Sequence, residues 1–213
     1  VRWGVGRCFT NTGQSCQAPT RMFVPKERLE ETLGIAKAAA DSCRVGDPQS
    51  AETTMGPVVS KVQFEKVQRL IDQGISEGAR LVTGGPGRPA GLNRGYFVRP
   101  TLFADVKPEM AIAREEIFGP VLSVFSYATV EEAIEQANAT VYGLAGYIHG
   151  KDPKAMRDVA SRLRAGRIYL NGSPSNNVAP FGGYKQSGNG REHGLFGFEE
   201  FLEVKAVIGY RSA

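Results

Sequence analysis

The alternation of extended apolar segments with amphipathic segments constrains the fold of this chain more than any other feature. Extended segments are predicted at 21–24, 79–83, 96–106, 121–127, 143–149 and 167–171. Apolar residues spaced three and four apart predict helices at 26–43 and 61–77, and helices that begin near 130 and 153. Strands that alternate with helices at this pace are typical of a parallel sheet. The sequence therefore predicts an α/β fold with a largely parallel open sheet and helices on both faces.

Local signals predict where some of these elements begin or break. Ser60 and Gln63 have the spacing of a capping box, in which two side chains satisfy the first free N–H groups of a helix. Thr129 and Glu132 repeat that spacing before a later helix. Pro100 has no N–H to donate to a neighbouring strand, so it predicts either a sheet edge or a break inside 96–106.

Cys16 is the candidate nucleophile. It lies in FTNTGQSCQAPTR (9–21), among small and amide-bearing side chains. Small residues let the backbone approach an electrophile closely, and a backbone N–H can favour the thiolate and face a developing oxyanion. The alternative is an ordinary loop or core cysteine, which is what most free cysteines are. Cys43 fits that structural role, since it falls on the apolar side of the helix predicted at 26–43.

Composition argues against several classes of protein. The three cysteines, Cys8, Cys16 and Cys43, have no Cys-x-x-Cys spacing, so we predict neither a disulfide framework nor a metal site. Free thiols suit a cytoplasmic location. The net charge of +4 is spread among residues of both signs, so no nucleic-acid partner is expected. No apolar run approaches the length of a transmembrane helix, so no membrane partner is expected.

Two further segments carry unusual patterns. Glu115 and Glu116 are adjacent in AREEIFGP (113–120), which from chemistry alone is typical of a solvated turn. In FLEVKAVI (201–208), apolar residues alternate with other residues, which predicts a half-exposed strand. That strand follows a glycine-rich tail and lies apart from the alternating elements, so it needs a partner edge.

Three separated motifs, in order, resemble the NAD(P)-dependent aldehyde dehydrogenase superfamily. Residues 9–16 match F-x-N-x-G-Q-x-C, residues 115–120 match E-E-x-F-G-P, and residues 180–188 resemble P-F-G-G-x-K-x-S-G. The resemblance covers essentially the whole chain. It implies the C-terminal catalytic domain of such an enzyme, followed by an oligomerisation strand.

The resemblance also implies roles for individual residues. Cys16 would be the catalytic nucleophile, which attacks the aldehyde carbonyl. Glu116 would hold the hydroxyl groups of the nicotinamide ribose, and Phe118 would lie against that end of the cofactor. Gln63 and Lys66 match positions near the cofactor ribose, although Gln63 also has the capping explanation given above.

The remaining assignments concern the nicotinamide and the aldehyde pocket. Leu144 matches a contact to the nicotinamide, but it would serve equally well as a core leucine. Ser15 and Gln17 would flank the thiol, and Phe181 would line the aldehyde pocket. The resemblance implies NAD or NADP as cofactor and a small aldehyde as substrate, and it leaves open which of each.

The domain organisation follows from the same resemblance. Residues 1–200 would form the catalytic domain, and residues 201–213 would form a strand that pairs with a neighbouring subunit in a homodimer or homotetramer. In the family, the coenzyme domain and its general-base glutamate precede the cysteine motif, and this sequence contains no counterpart of them. We therefore expect the 213-residue chain by itself to be inactive.

Two other functions stay open at this stage. A cofactor-free cysteine hydrolase or acyltransferase would need a histidine base, for which His149 and His193 are the candidates. A non-catalytic oligomerisation module would need no reactive thiol. The distance from Cys16 to each histidine discriminates the first alternative, and the reactivity of Cys16 toward iodoacetamide discriminates the second.

Overall fold

The computed structural model describes residues 1–209 and 211, which belong to two compact units. Unit 1 comprises Val1–Thr140 with Ser161–Leu163, and unit 2 comprises Val141–Ala160 with Arg164–Ala213. No helix in the described residues combines the length and the apolar character needed to cross a membrane.

Unit 1 contains the sheet that positions the candidate nucleophile. Its elements are α1 (Arg2–Phe9), β1 (Arg21–Pro25), α2 (Leu29–Asp41), α3 (Lys61–Ser76), β2 (Arg80–Thr83), β3 (Thr101–Ala104), α4 (Ala111–Arg114), β4 (Val121–Tyr127) and α5 (Val130–Asn138). The strands are ordered β1-β4-β3-β2. β4 pairs in parallel with both β1 and β3, whereas β2 runs antiparallel to β3. The prediction of a largely parallel open sheet is confirmed.

Successive side chains of the central strands point to opposite faces of the sheet in unit 1, and helices bury both faces. Leu102 and Leu122 pack with α1 and α2, whereas Phe103 and Phe125 pack with α3 and α4. Strands covered in this way carry continuous apolar sequences, as β4 does with VLSVF at 121–125. The prediction of helices on both faces is therefore confirmed as well.

Unit 2 contains a parallel pair of strands. Its elements are β5 (Ala145–Ile148), most of α6 (Pro153–Arg162), β6 (Arg167–Leu170) and α7 (Gly194–Glu199). β5 and β6 pair in parallel register, with Tyr147 opposite Tyr169 and their rings stacked 5.1 Å apart. The predicted strands at 143–149 and 167–171 are thus present, in a sheet of their own.

Most predicted boundaries agree with the structure to within a few residues. The predicted helix at 26–43 begins as a short 3₁₀ turn, Lys26–Arg28, and continues as α2. Of the two interpretations of Pro100, the break is correct, because β3 begins at the next residue. The sheet-edge interpretation is wrong, since β3 lies between β4 and β2. The short helices α1, α4 and α7 carry no strong periodic signal, and the sequence does not predict them.

The segment 201–208 forms no strand within the described residues. Its apolar side chains are nevertheless turned to solvent, with Phe201, Val204 and Ile208 exposed to 88%, 96% and 96%. Residue 209 is described as a bend and residue 211 as irregular, whereas 210, 212 and 213 of the predicted terminal segment lie outside the described residues.

Candidate active site

The Cys16 thiol lies on an exposed turn that leads into β1. The Ala18 N–H donates to the Ser15 carbonyl at 3.0 Å and closes the turn around Cys16 and Gln17. Cys16 is exposed, whereas Ser15 and Gln17 are half-buried on either side of it. Among the described residues, the backbone N–H of Cys16 has no recorded acceptor. Both the sulfur and this N–H can therefore face a ligand.

A left-handed stretch precedes the turn. Asn11, Thr12 and Gly13 have φ values of 53°, 58° and 73°. This conformation is unusual for a β-branched residue such as Thr12 and costs of the order of 1–3 kcal/mol. Side chains hold it in place: Asn11 Nδ2 donates to the Gln14 carbonyl at 2.9 Å, and buried Thr12 Oγ1 donates to the Gly56 carbonyl at 3.1 Å.

Gly13 brings the cysteine segment against a second loop, 115–120, which joins α4 to β4. A Cβ placed on Gly13 would lie 2.1 Å from the Gly119 carbonyl oxygen and 2.8 Å from the Pro120 nitrogen. Gly119 is also confined, since a Cβ placed on it would lie 2.6 Å from a methyl carbon of Val67 on α3. The two loops meet because they enter β1 and β4, which are adjacent and parallel. The first two sequence motifs are thus in direct contact.

Helix α3 holds the second loop through two side chains one turn apart. Gln63 Nε2 donates to the carbonyls of Ile117 and Phe118 at 2.9 and 2.8 Å. Lys66 Nζ donates to the Glu116 carbonyl at 2.6 Å. These contacts fix consecutive peptide groups, including that of Phe118, whose φ is 56°. Gln63, Lys66, Glu116 and Phe118 therefore come together in unit 1.

The two adjacent glutamates of this loop have different surroundings. Glu115 lies 3.6 Å from Arg69 Nη2 in an exposed ion pair. Glu116 is also exposed, but its carboxylate has no recorded hydrogen-bond or ion-pair partner in the described part of the chain. Because a carboxylate accepts two hydroxyl groups readily, Glu116 is the one that is free to hold a vicinal diol.

The other two cysteines are poor nucleophiles. Cys8 is fully buried on α1, and burial raises the pKa of its thiol well above the ordinary range. Cys43 is half-buried, and burial, followed by the charge of Asp41, raises the pKa of its thiol. Reactivity follows the thiolate and its exposure, so Cys16 is the accessible thiol of the three.

In unit 2, Leu144 and Phe181 line one groove with a volume of about 340 Å³. Phe181 exchanges two backbone hydrogen bonds with Glu192, at 2.7 and 2.6 Å. The glycine motif lets the backbone approach closely here, since a Cβ on Gly166 would lie 1.8 Å from the Gly182 carbonyl oxygen. The structure thus places these two predicted site residues together on unit 2.

Some contributors to the site were not found from the sequence. Thr12 and Gly119 lie within the first two motifs, but their packing roles leave no periodic or compositional signal. Gln63 could be assigned as a capping residue, and its backbone N–H does donate to the capping Ser60 Oγ at 3.2 Å. Its side chain, however, reaches the second loop. Within the described residues, no group of three or more His, Cys, Asp or Glu side chains could hold a metal ion.

Comparison with known families identifies the chain. Residues 1–207 match the model of the aldehyde dehydrogenase family. The chain belongs to this family. The motif resemblance and the fold expected from it are therefore confirmed.

Relatives within the aldehyde dehydrogenase family are close in sequence and structure. The chain is 52% identical to a 3-succinoylsemialdehyde-pyridine dehydrogenase of a Pseudomonas species, over 100% of this chain and 45% of that protein. It is also 52% identical, with a TM-score of 0.96, to a cysteine-to-alanine variant of aldehyde dehydrogenase C from Pseudomonas syringae in complex with NAD⁺ and octanal; the match covers 100% of this chain and 44% of that one.

A third relative is an aldehyde dehydrogenase of Mycobacterium tuberculosis in complex with NAD⁺. It is 42% identical to this chain with a TM-score of 0.92, over 98% of this chain and 44% of that one. The chain thus spans less than half the length of each of these relatives.

Proposed function

We propose that this chain is the catalytic part of a longer enzyme that oxidises aldehydes to carboxylic acids, with NAD or NADP as hydride acceptor and Cys16 as nucleophile. The contact between the cysteine loop and the loop of Glu116 carries the proposal, because it places an exposed thiol and a free carboxylate on adjoining loops of one unit. The relative from P. syringae, in complex with NAD⁺ and octanal, supports the choice of substrate and cofactor. We call the longer protein the full-length enzyme.

The first step of the proposed reaction is nucleophilic attack by Cys16. Cys16 Sγ, as thiolate, forms a bond to the aldehyde carbonyl carbon and gives a tetrahedral thiohemiacetal. The Cys16 N–H is free to donate to its oxyanion, which is the stabilisation that acyl-transfer chemistry requires. Loss of hydride from the same carbon leaves a thioester on Cys16. Attack by water then releases the carboxylic acid and restores the thiol.

Glu116 and Phe118 are chemically suited to bind the nicotinamide end of the cofactor. When bound, the nicotinamide ring accepts the hydride. Glu116 offers an unpaired carboxylate for the ribose hydroxyls, and half-buried Phe118 offers an aromatic face beside it. Gln63 and Lys66 contribute by holding the backbone of that loop. In the family, the general-base glutamate belongs to the coenzyme domain, so we propose that the 213-residue chain alone completes no turnover.

The proposal is tested by following NADH or NADPH formation from an aliphatic aldehyde. The full-length enzyme is expected to turn over, whereas this chain alone is expected to produce no more reduced cofactor than the uncatalysed mixture. Turnover by this chain at an ordinary enzymatic rate, about 1–10³ per second, would show that the coenzyme domain contributes less than we propose.

Replacing Glu116 with glutamine in the full-length enzyme is expected to weaken cofactor positioning. The substitution preserves shape but removes the charge from the acceptor, at a cost of about 1–3 kcal/mol. The measurement is the single-turnover rate of hydride transfer together with the Kd for the cofactor. Glu115→Gln is the matched control, because it removes only an exposed ion pair with a distance of 3.6 Å. Equal effects of the two substitutions would make Glu116 an ordinary surface residue.

We also propose that segment 201–208 forms an intermolecular strand in a homodimer or homotetramer. Its apolar side chains are exposed and it pairs with no strand in the described residues. The N–H groups of Phe201 and Leu202 donate to the carbonyls of Phe198 and Glu199 at 3.1 Å, and the backbone groups beyond them are open for pairing. Val204→Lys in the full-length enzyme is expected to reduce the assembly measured by light scattering, whereas Glu203→Gln is expected to leave it intact. An unchanged assembly after Val204→Lys would contradict the proposal.

We propose a cytoplasmic location because the cysteines are not in disulfide bonds. All three, Cys8, Cys16 and Cys43, are free thiols. A reducing compartment keeps them so, and the reaction needs Cys16 reduced.

A further inference from the structure

Arg167 of β6 makes an unusual set of contacts with the segment that leads to Phe181. Its Nη2 donates to the Ala179 carbonyl at 2.6 Å and its Nε donates to the Pro180 carbonyl at 3.1 Å. Nη1 donates to Tyr169 Oη at 3.2 Å. The guanidinium carbon also lies 5.1 Å from the centroid of the Phe181 ring. One side chain thus holds two successive carbonyls and the aromatic ring that follows them.

This geometry fixes Phe181 more firmly than the backbone alone would. The hydrogen bonds with Glu192 fix Phe181 itself, and the bonds from Arg167 fix the two peptide groups that precede it. A planar guanidinium suits this task because its donors are rigidly spaced, which an ammonium group cannot reproduce. A cation near an aromatic face adds a further electrostatic attraction. The His193 ring also lies 5.9 Å from the Phe181 ring, so Arg167 and His193 together orient it.

Arg167 itself is absent from the walls of the groove that Phe181 lines. Those walls are formed by Leu144, Phe181 and residues of the glycine-rich tail. An occupant of the groove would accordingly contact Phe181 and not Arg167, so Arg167 would act on that occupant only through Phe181.

We infer that Arg167 is a positioning residue that sets the preference for aldehyde chain length by fixing Phe181. The inference rests on the proposed function and on the role in the aldehyde pocket that the motif resemblance implies for Phe181. A long aliphatic chain contacts a pocket ring over more of its length than a short chain does, so displacement of the ring costs the long substrate more.

The test compares octanal with propanal in the full-length enzyme. Arg167→Met is expected to lower the ratio of kcat/KM for octanal to that for propanal by about tenfold, the size of change that a small misfit in an apolar pocket produces. The KM for the cofactor and the rate of Cys16 alkylation by iodoacetamide should stay at wild-type values. Arg157→Met, which changes an exposed arginine of α6, is the matched control and should alter none of these quantities.

A double-mutant cycle with Phe181→Leu separates positioning from a direct role. If Arg167 acts through the ring, Arg167→Met added to Phe181→Leu should change the octanal-to-propanal ratio no further. Additive effects, or an unchanged ratio in Arg167→Met itself, would overturn the inference. If Arg167→Met does not fold, Arg167→Lys decides: a single ammonium cannot hold both carbonyls, so an intermediate ratio supports the inference and a wild-type ratio overturns it.

The same measurements distinguish failure of this inference from failure of the proposed function. Aldehyde oxidation that survives Cys16→Ser would overturn the proposed function, whatever the Arg167 variants do. Loss of oxidation in Cys16→Ser together with additive Arg167 and Phe181 effects would overturn only the role of Arg167.

Discussion

Cys16→Ser in the full-length enzyme is expected to lower aldehyde oxidation by a factor on the order of 10⁴ or more, the scale of loss when a covalent nucleophile is removed. A serine hydroxyl at this position would need a base to attack a carbonyl, whereas a thiol supplies some thiolate near neutral pH. The substitution is nearly isosteric on an exposed turn, so the fold should be preserved. The measurement is steady-state formation of NADH or NADPH from an aliphatic aldehyde.

The other cysteines provide the controls for this substitution. Cys43→Ser changes a half-buried thiol whose pKa is raised, and Cys8→Ala changes a buried one. Both variants should retain turnover, although Cys8→Ala leaves a small cavity and lowers stability. If Cys16→Ser retains wild-type turnover, or if Cys43→Ser loses it, the assignment of the nucleophile is wrong.

Gly13→Ala is expected to have the second large effect, a loss of stability of unit 1. The added methyl group would lie 2.1 Å from the Gly119 carbonyl oxygen on a backbone with φ of 73°. Backbone strain and overpacking each cost of the order of 1–3 kcal/mol, so we expect a total loss of about 3 kcal/mol or more. Trp3 on α1 is the only tryptophan and reports on the same unit, so the denaturant midpoint of this chain can be followed by its fluorescence.

Gly34→Ala is the matched control for Gly13→Ala. Gly34 lies on the exposed side of α2, and a Cβ there would meet nothing within 4 Å. Replacing glycine with alanine inside a helix stabilises it by about 0.5–1 kcal/mol. The two variants should therefore move the midpoint in opposite directions. A wild-type midpoint for Gly13→Ala would mean that the two loops do not meet as described.

The sequence predicted the elements well where a single local rule determines them. Ser60 accepts from the Gln63 N–H and Thr129 accepts from the Glu132 N–H, which is the first half of the predicted capping box. The return contact differs, since Gln63 Nε2 donates to the second loop and Glu132 Oε2 accepts from the Ala128 N–H. The extended segment predicted at 121–127 forms β4, which pairs in parallel on both sides. These features depend on residues within one or two turns of each other.

Features that depend on distant residues were not predictable from local rules. The left-handed conformation of Thr12 is held by the carbonyl of Gly56, and Gly13 is required because of Gly119. Arg167 gave no signal because its acceptors are backbone carbonyls, which every residue possesses. The motif resemblance located the site, but the packing that joins its parts became visible only in three dimensions.

Covalent trapping tests the central claim, that Cys16 carries the acyl group during aldehyde oxidation, most directly. The full-length enzyme is mixed with octanal and cofactor, quenched with acid during the first turnover, and analysed by peptide mass spectrometry. Cys8 and Cys16 share the tryptic peptide 8–21, so fragmentation of that peptide locates the group. The account predicts one octanoyl group, labile to hydroxylamine, on Cys16, and none on Cys8 or Cys43. Reduced cofactor formed with the octanoyl group on another residue, or with no acylated protein, would contradict it.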